Sequence, residues 1–201
     1  MGSNITYLPL FPLNVFLLPG EQLPLHIFEE RYQQLLKDLE TLGLEFGLPY
    51  TISNGTILYG CQVKMIDVSK RYPSGEADIL VECTGIFKMV DYNEKDPAKL
   101  YPSGDVQLLE QYINYPAQEN VRAELRLFRD VLGPSASIFD KPEFEDTLRI
   151  LRALNLSHEQ KHKFISLNDP EAQQRSLVNM IRFSRLIVEQ EQKIEDGIYP
   201  N

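Results

Sequence analysis

The chain has 201 residues, 43% of them hydrophobic, and carries 20 Lys+Arg against 29 Asp+Glu for a net charge of −9. That composition supports one domain or two small ones with a proper core and excludes a disordered tail. It contains no lysine–arginine block, so a nucleic-acid partner is excluded, because phosphate-backbone binding runs on clustered cations and counterion release.

No cationic start followed by an apolar stretch opens the chain, and no apolar run approaches the ~18 residues needed to cross a bilayer. A cytoplasmic protein with no membrane partner is expected. Residues 5–115 read mainly as strand, interrupted by one helix over residues 29–41 with Phe28, Tyr32, Leu35, Leu36 and Leu39 on one stripe and Gly43 just past its end. The clearest hairpin runs through residues 56–70, turns at residues 71–75 on Pro73, Ser74 and Gly75, and returns over residues 76–84. A separate strand is expected over residues 86–92. Cys61 and Cys83 fall inside these strand-like runs and are expected to be buried, reduced thiols. Alternation along the strands is imperfect, which suits a sheet curling into a barrel.

Past Pro116 the pattern becomes helical. The first stripe is Val121, Leu125, Phe128 and Leu132, stopping at Gly133 and Pro134. A second helix is expected from Lys141 and Pro142, with Phe144, Leu148, Leu151 and Leu154 inward. A third starts at Ser157, whose spacing to Gln160 matches a capping box. The last and longest starts at Asp169 and Pro170 and carries Leu177, Met180, Ile181, Ser184, Ile187 and Val188. The expected fold class is therefore α+β: a β-barrel-like lobe with one helix over residues 1–115, then a helical bundle with a long last helix over residues 116–201. Residues 1–115 hold 8 basic and 15 acidic side chains, net −7, against 12 and 14, net −2, for the remainder.

Several patterns could carry chemistry. His158, Glu159 and His162 form a literal H-E-x-x-H, in which two imidazoles one helical turn apart bind Zn²⁺ and the Glu acts on the metal-bound water. Against that reading, the capping box puts His158 at a helix end, Lys161 places an ammonium inside the motif, and no third ligand is marked. Gly133 to Ser137 resembles the string around the nucleophile of Lon-type serine proteases, yet Leu132 and Ser137 depart from it and no lysine lies between Lys163 and Lys193 to act as base. There is no phosphate-binding loop, since no Gly-Lys dipeptide occurs. His26, between Leu25 and Ile27, reads as a structural histidine. Tyr101, Tyr112 and Tyr115 near the lobe junction, and the cationic stripe Arg122, Arg126 and Arg129, are the candidate partner-binding residues, the stripe suiting an acidic surface. No catalytic, cofactor-binding or metal-binding residue is assigned.

Three strings, Leu8 to Leu13, Leu18 to Gly20 and Leu23 to Tyr32, closely resemble the start of the Lon protease N-terminal, substrate-binding domain, also found in cereblon-like and stand-alone bacterial proteins. Phe46-Gly47, Gly55-Thr56, the turn from Tyr72 to Gly75 and the run from Gly85 to Lys88 fall where that family has corresponding elements, with Lys88 in place of its usual Arg. Leu154 to Lys161 and Asn168 to Pro170 resemble its helical subdomain. The resemblance implies a non-catalytic module that recognises polypeptides, without the ATPase and Ser-Lys protease domains, without a cofactor, and with polypeptide clients or a protease/ATPase as partner. Weak self-association is a further expectation. The groove between the lobes, with apolar pockets and sheet-edge hydrogen bonds, is its expected binding surface. The alternative is a small-ligand or metal-binding hydrolase using a barrel-mouth or inter-lobe pocket, or His158, Glu159 and His162.

Overall fold

A computed structural model describes residues 5–52, 55, 57–95, 97–109, 115–133 and 146–198, and the chain divides into two compact units, Met1–Glu110 and Gln111–Asn201. The first unit is built on a six-stranded antiparallel sheet of β1 (Ile5–Pro9), β2 (Gln22–Ile27), β3 (Phe46–Thr51), β4 (Ile57–Arg71), β5 (Ala77–Asn93) and β6 (Ser103–Leu108). Its order is β1-β6-β5-β4-β3, with β2 paired to β5 off that path. Just past β1, Leu10 bridges Gly47 of β3, and the Phe11 N–H donates to the Gly47 carbonyl at 2.8 Å, so the path returns on itself as a barrel. The fold class expected from the sequence is thus the one observed.

The separate strand expected after Gly85 does not exist. β5 runs unbroken for 17 residues, because its ladder with β4 continues across Gly85 and absorbs Thr84 as a register shift opposite Gln62 and Val63. β2 pairs with the first half of β5, and β6 with the second. One strand thereby serves two partners in succession.

Close approach at the barrel centre depends on two glycines. The Phe87 ring is fully buried among Leu8, Leu10 and Val106, and it lies where Gly47 and Gly60 have no side chain. The hairpin turns where Pro73 and Gly75 predict, with Gly75 at φ 93° and the Tyr72 N–H donating to the Glu76 carbonyl. Cys61 and Cys83 are free thiols, both buried. Hydrogen bonding to Cys61, together with burial, pushes the Cys83 thiol up, so it stays protonated.

α1 (Glu30–Leu42) buries Tyr32, Leu35, Leu36 and Leu39 as its stripe predicts and ends at Gly43 in the left-handed region, φ 64°, with its N–H on the Leu39 carbonyl. Phe28 is not part of that stripe. It precedes the helix cap, is 62% exposed and stacks on His26.

The second unit contains α2 (Glu119–Leu132), α3 (Thr147–Ala153), α4 (His158–Ser166) and α5 (Pro170–Ile198). α2 buries Val121, Leu125 and Phe128. α3 begins later than its sequence suggests, at Thr147 behind Asp146, whose carboxylate caps the Arg149 N–H; Lys141, Pro142 and Phe144 lie outside the described residues. α4 opens with the predicted capping box, both reciprocal bonds between Ser157 and Gln160 being present. α2 and α5 run side by side in the same direction, since Gln118 meets Gln174, Glu124 meets Arg185, and the Val131 carbonyl meets Gln192. Leu177 and Ile181 fall on that row and are fully buried, whereas Ile187 lies on the neighbouring row and is exposed.

Candidate functional site

The first unit carries an open groove of about 530 Å³. Its walls come from four places: Tyr7, Leu8 and Pro9 of β1, the end of α1 at Leu42 with the connection Gly43 to Glu45 that follows it, Gln62 of β4, and Ala98, Lys99 and Tyr101 ahead of β6. Three large apolar side chains turn outward at these walls, Tyr7 at 58%, Leu42 at 61% and Leu44 at 41% exposure, while Leu8 and Tyr101 are buried beneath. Concave apolar surface left open to water in this way is the usual mark of a binding site.

The wall at Lys99 is fastened by α1. Gln34 and Asp38, four residues apart and so on one helix face, hold the loop: the Leu100 N–H donates to Gln34 Oε1 at 2.7 Å, and Asp38 Oδ2 accepts from Lys99 Nζ at 2.7 Å and from the Tyr101 hydroxyl at 2.6 Å. These bonds, from Lys99 first and Tyr101 second, hold the Asp38 carboxyl below its ordinary value. Their contribution is therefore complete above the unfolded carboxylate value of about 3.9 and is lost as the pH falls through the lower folded value. Asp38→Ala should cost about 1–2 kcal/mol at neutral pH. In urea titrations from neutral to acid, the gap between the natural chain and the variant should close below about pH 4. A gap that stays constant to the acid limit would show that Asp38 is no latch.

The backbone at the groove disfavours strand addition. Leu10 turns its N–H toward Pro102 and Phe11 toward Gly47, so Pro9 shares the β3-facing parity of Phe11 and offers no N–H there. Proline at such positions blunts an edge.

The residues singled out from the sequence are scattered. Tyr101 lines the groove, but its ring is buried and its hydroxyl is held by Asp38. Tyr115, in the second unit, donates to Gln173 Oε1, and Tyr112 lies outside the described residues. Arg122 and Arg126 on α2 both bond Glu119 of their own helix, at 3.2 and 2.6 Å, and Arg129 is half-buried on the same helix. The Arg126 hydrogen bond, above all, holds the Glu119 carboxyl low.

His158 and Glu159 are exposed on the first turn of α4, while His162 is buried and desolvation lowers its imidazole below the usual value. Among the described residues no group of three or more His, Cys, Asp or Glu side chains is placed to hold a metal ion. His26 lies on the exposed face of β2, its Nδ1 2.6 Å from Asp78 Oδ1 and its Nε2 3.4 Å from Glu76 Oε2, stapling β2 to the hairpin end. The sequence reading missed Gln34 and Asp38. Their only signal was the four-residue spacing on a helix whose opposite stripe is apolar.

Among the described residues, no helix is long and apolar enough to cross a membrane. No curated protein matches the sequence. Among solved structures, the crystal structure of a Lon N-terminal domain protein from Xanthomonas campestris is similar, with a TM-score of 0.65 at 23% identity, covering 88% of this chain and 98% of that one. The N-terminal domain of Mycobacterium avium complex Lon protease is similar with a TM-score of 0.58 at 12% identity, over the same shares. At such identities these structures establish the fold alone, a barrel followed by helices that matches the architecture above. The model of the ATP-dependent protease La (LON) substrate-binding domain family matches residues 7–194, a span that takes in all six strands of the barrel from Tyr7 onward and nearly all of α5. With sequence and fold in agreement over that length, the chain belongs to the LON substrate-binding domain family.

Proposed function

We propose that this chain is a polypeptide-recognition module, and that the groove beside β1 is where the polypeptide is held. The observation that carries the reading is the group of outward apolar side chains Tyr7, Leu42 and Leu44 around a concave, apolar-lined site on a domain of a substrate-binding family. Pro9 favours recognition through inserted side chains over the sheet-edge hydrogen bonds expected from the sequence. The groove carries this reading better than the stripe of Arg122, Arg126 and Arg129, two of whose guanidiniums already serve Glu119. Both units are read as one functional module, because the family match runs through both. An ATPase–protease is the natural recipient of what such a module collects.

The test is fluorescence anisotropy with a labelled, reduced and alkylated polypeptide that cannot fold. The natural chain should bind it saturably, and Tyr7→Ser combined with Leu44→Ser should weaken binding by about tenfold or more, the loss of two apolar contacts of roughly 1 kcal/mol each. These residues are exposed, so the double variant should unfold at the same denaturant concentration as its parent. Binding that is absent, or indifferent to both substitutions, sinks the proposal.

A further inference from the structure

The groove has an electrostatic polarity as well as an apolar wall. α1 ends there: Leu42 is its last residue, and Gly43, Leu44 and Glu45 follow along the rim. The unshared carbonyls of a helix C-terminus carry about half a negative elementary charge, which favours a cation. α1 supplies none of its own, having no basic side chain in its last turn. Glu45 adds a full carboxylate to the same rim and is held in place by the Thr84 hydroxyl, which donates to Oε2 at 2.8 Å. Lys99, the lysine among the lining residues, is committed to Asp38. The lining thus carries one carboxylate and one ammonium; the ammonium is taken up by Asp38, which leaves Glu45 as the lining charge that no lining cation offsets, within a unit that holds 8 basic and 15 acidic side chains.

We propose that the groove selects polypeptide segments in which a large apolar side chain is flanked by lysine or arginine. The apolar side chain enters between Tyr7, Leu42 and Leu44, and the cation rests against Glu45 and the carbonyl end of α1. The inference builds on the polypeptide reading above and adds which segments are chosen. Complementary charge of this kind sets partner choice and association rate, and it weakens with salt.

Three labelled peptides of equal length decide the matter by anisotropy against the full chain: a central Phe flanked by lysines, the same Phe flanked by glutamates, and the lysine-flanked peptide with Ser in place of Phe. At low salt the lysine-flanked Phe peptide should bind about tenfold tighter than the glutamate-flanked one, and the ratio should shrink at high salt. Glu45→Gln should cut that ratio by about threefold, a rim charge being worth little more. Leu44→Ser should weaken both Phe peptides alike.

Equal binding with either flank, or a ratio that Glu45→Gln leaves unchanged, overturns this inference while the polypeptide reading stands. Undiminished binding of the Ser peptide reduces the effect to general cation attraction and also overturns it. If no peptide binds, both readings fall. Sedimentation at the same concentrations covers the remaining occupant: a dimer that Leu44→Ser dissociates would place a second copy in the groove and overturn the proposal.

Discussion

Replacing Gly60 by alanine should destabilise the first unit by about 3 kcal/mol, the upper end for overpacking a closed core. A methyl group at Gly60 would stand 2.3 Å from Phe87 Cζ and 2.6 Å from the Leu48 carbonyl oxygen. Neither neighbour moves easily. The ring is fully buried against Leu8, Leu10 and Val106, and the carbonyl belongs to β3, which pairs with β4 at this point. Urea denaturation followed by far-ultraviolet circular dichroism measures the loss. Phe87→Leu in the Gly60→Ala background should recover part of it, since the shorter side chain withdraws the ring atoms, while the Leu48 oxygen keeps recovery incomplete. Gly60→Ala within about 0.5 kcal/mol of the natural chain would mean the ring does not lie over this strand.

The second unit should be sensitive at Gln174 as well. Its side chain accepts from the Gln118 N–H at 3.0 Å and donates to the Pro116 carbonyl and to Thr147 Oγ1, each at 3.2 Å. It thereby ties the entry to α2 and the start of α3 onto α5. Gln174 and Thr147 are buried, so Gln174→Met, close in volume, keeps the packing and leaves three polar groups without their partner. The cost should be about 2 kcal/mol, set chiefly by the buried Thr147 hydroxyl and not by a cavity, since Pro116 and Gln118 are exposed and their backbone groups can turn to water. A double-mutant cycle separates the two causes. Thr147→Val alone should cost about 1 kcal/mol, and in the Gln174→Met background it should cost nearly nothing, because the hydroxyl it removes is already unpaired. Additive losses would show that the two side chains are not bonded.

Both predictions rest on features that sequence periodicity does not display. Gly60 is an ordinary strand glycine in the linear chain, without a positive φ to advertise it. Only the three-dimensional meeting of β3, β4 and the Phe87 ring turns its missing side chain into a requirement. Gln173 and Gln174 look like polar surface on an amphipathic helix, yet both are buried, because α5 passes the ends of other segments there and their orphan backbone groups need partners.

Short-range features were legible from side-chain chemistry alone. The hairpin at Gly75, the stripe and stop of α1, the capping box at Ser157 and the Asp169 start of α5 follow from side-chain chemistry acting within a few residues, where context has little power to override it. The strings around Leu8, Pro19 and Leu23 are specific enough to point to the LON family without the fold.

Contacts between distant parts of the chain set the rest. They ran β5 through Gly85, because ladder partners on both sides outweigh one residue's propensity. They removed Phe28 from the core. The groove was out of reach for the same reason: its walls come from residues near 8, 43, 62 and 99, and its latch joins Asp38 to Lys99 and Tyr101. Those are contacts between positions that chain order separates and only barrel closure brings together.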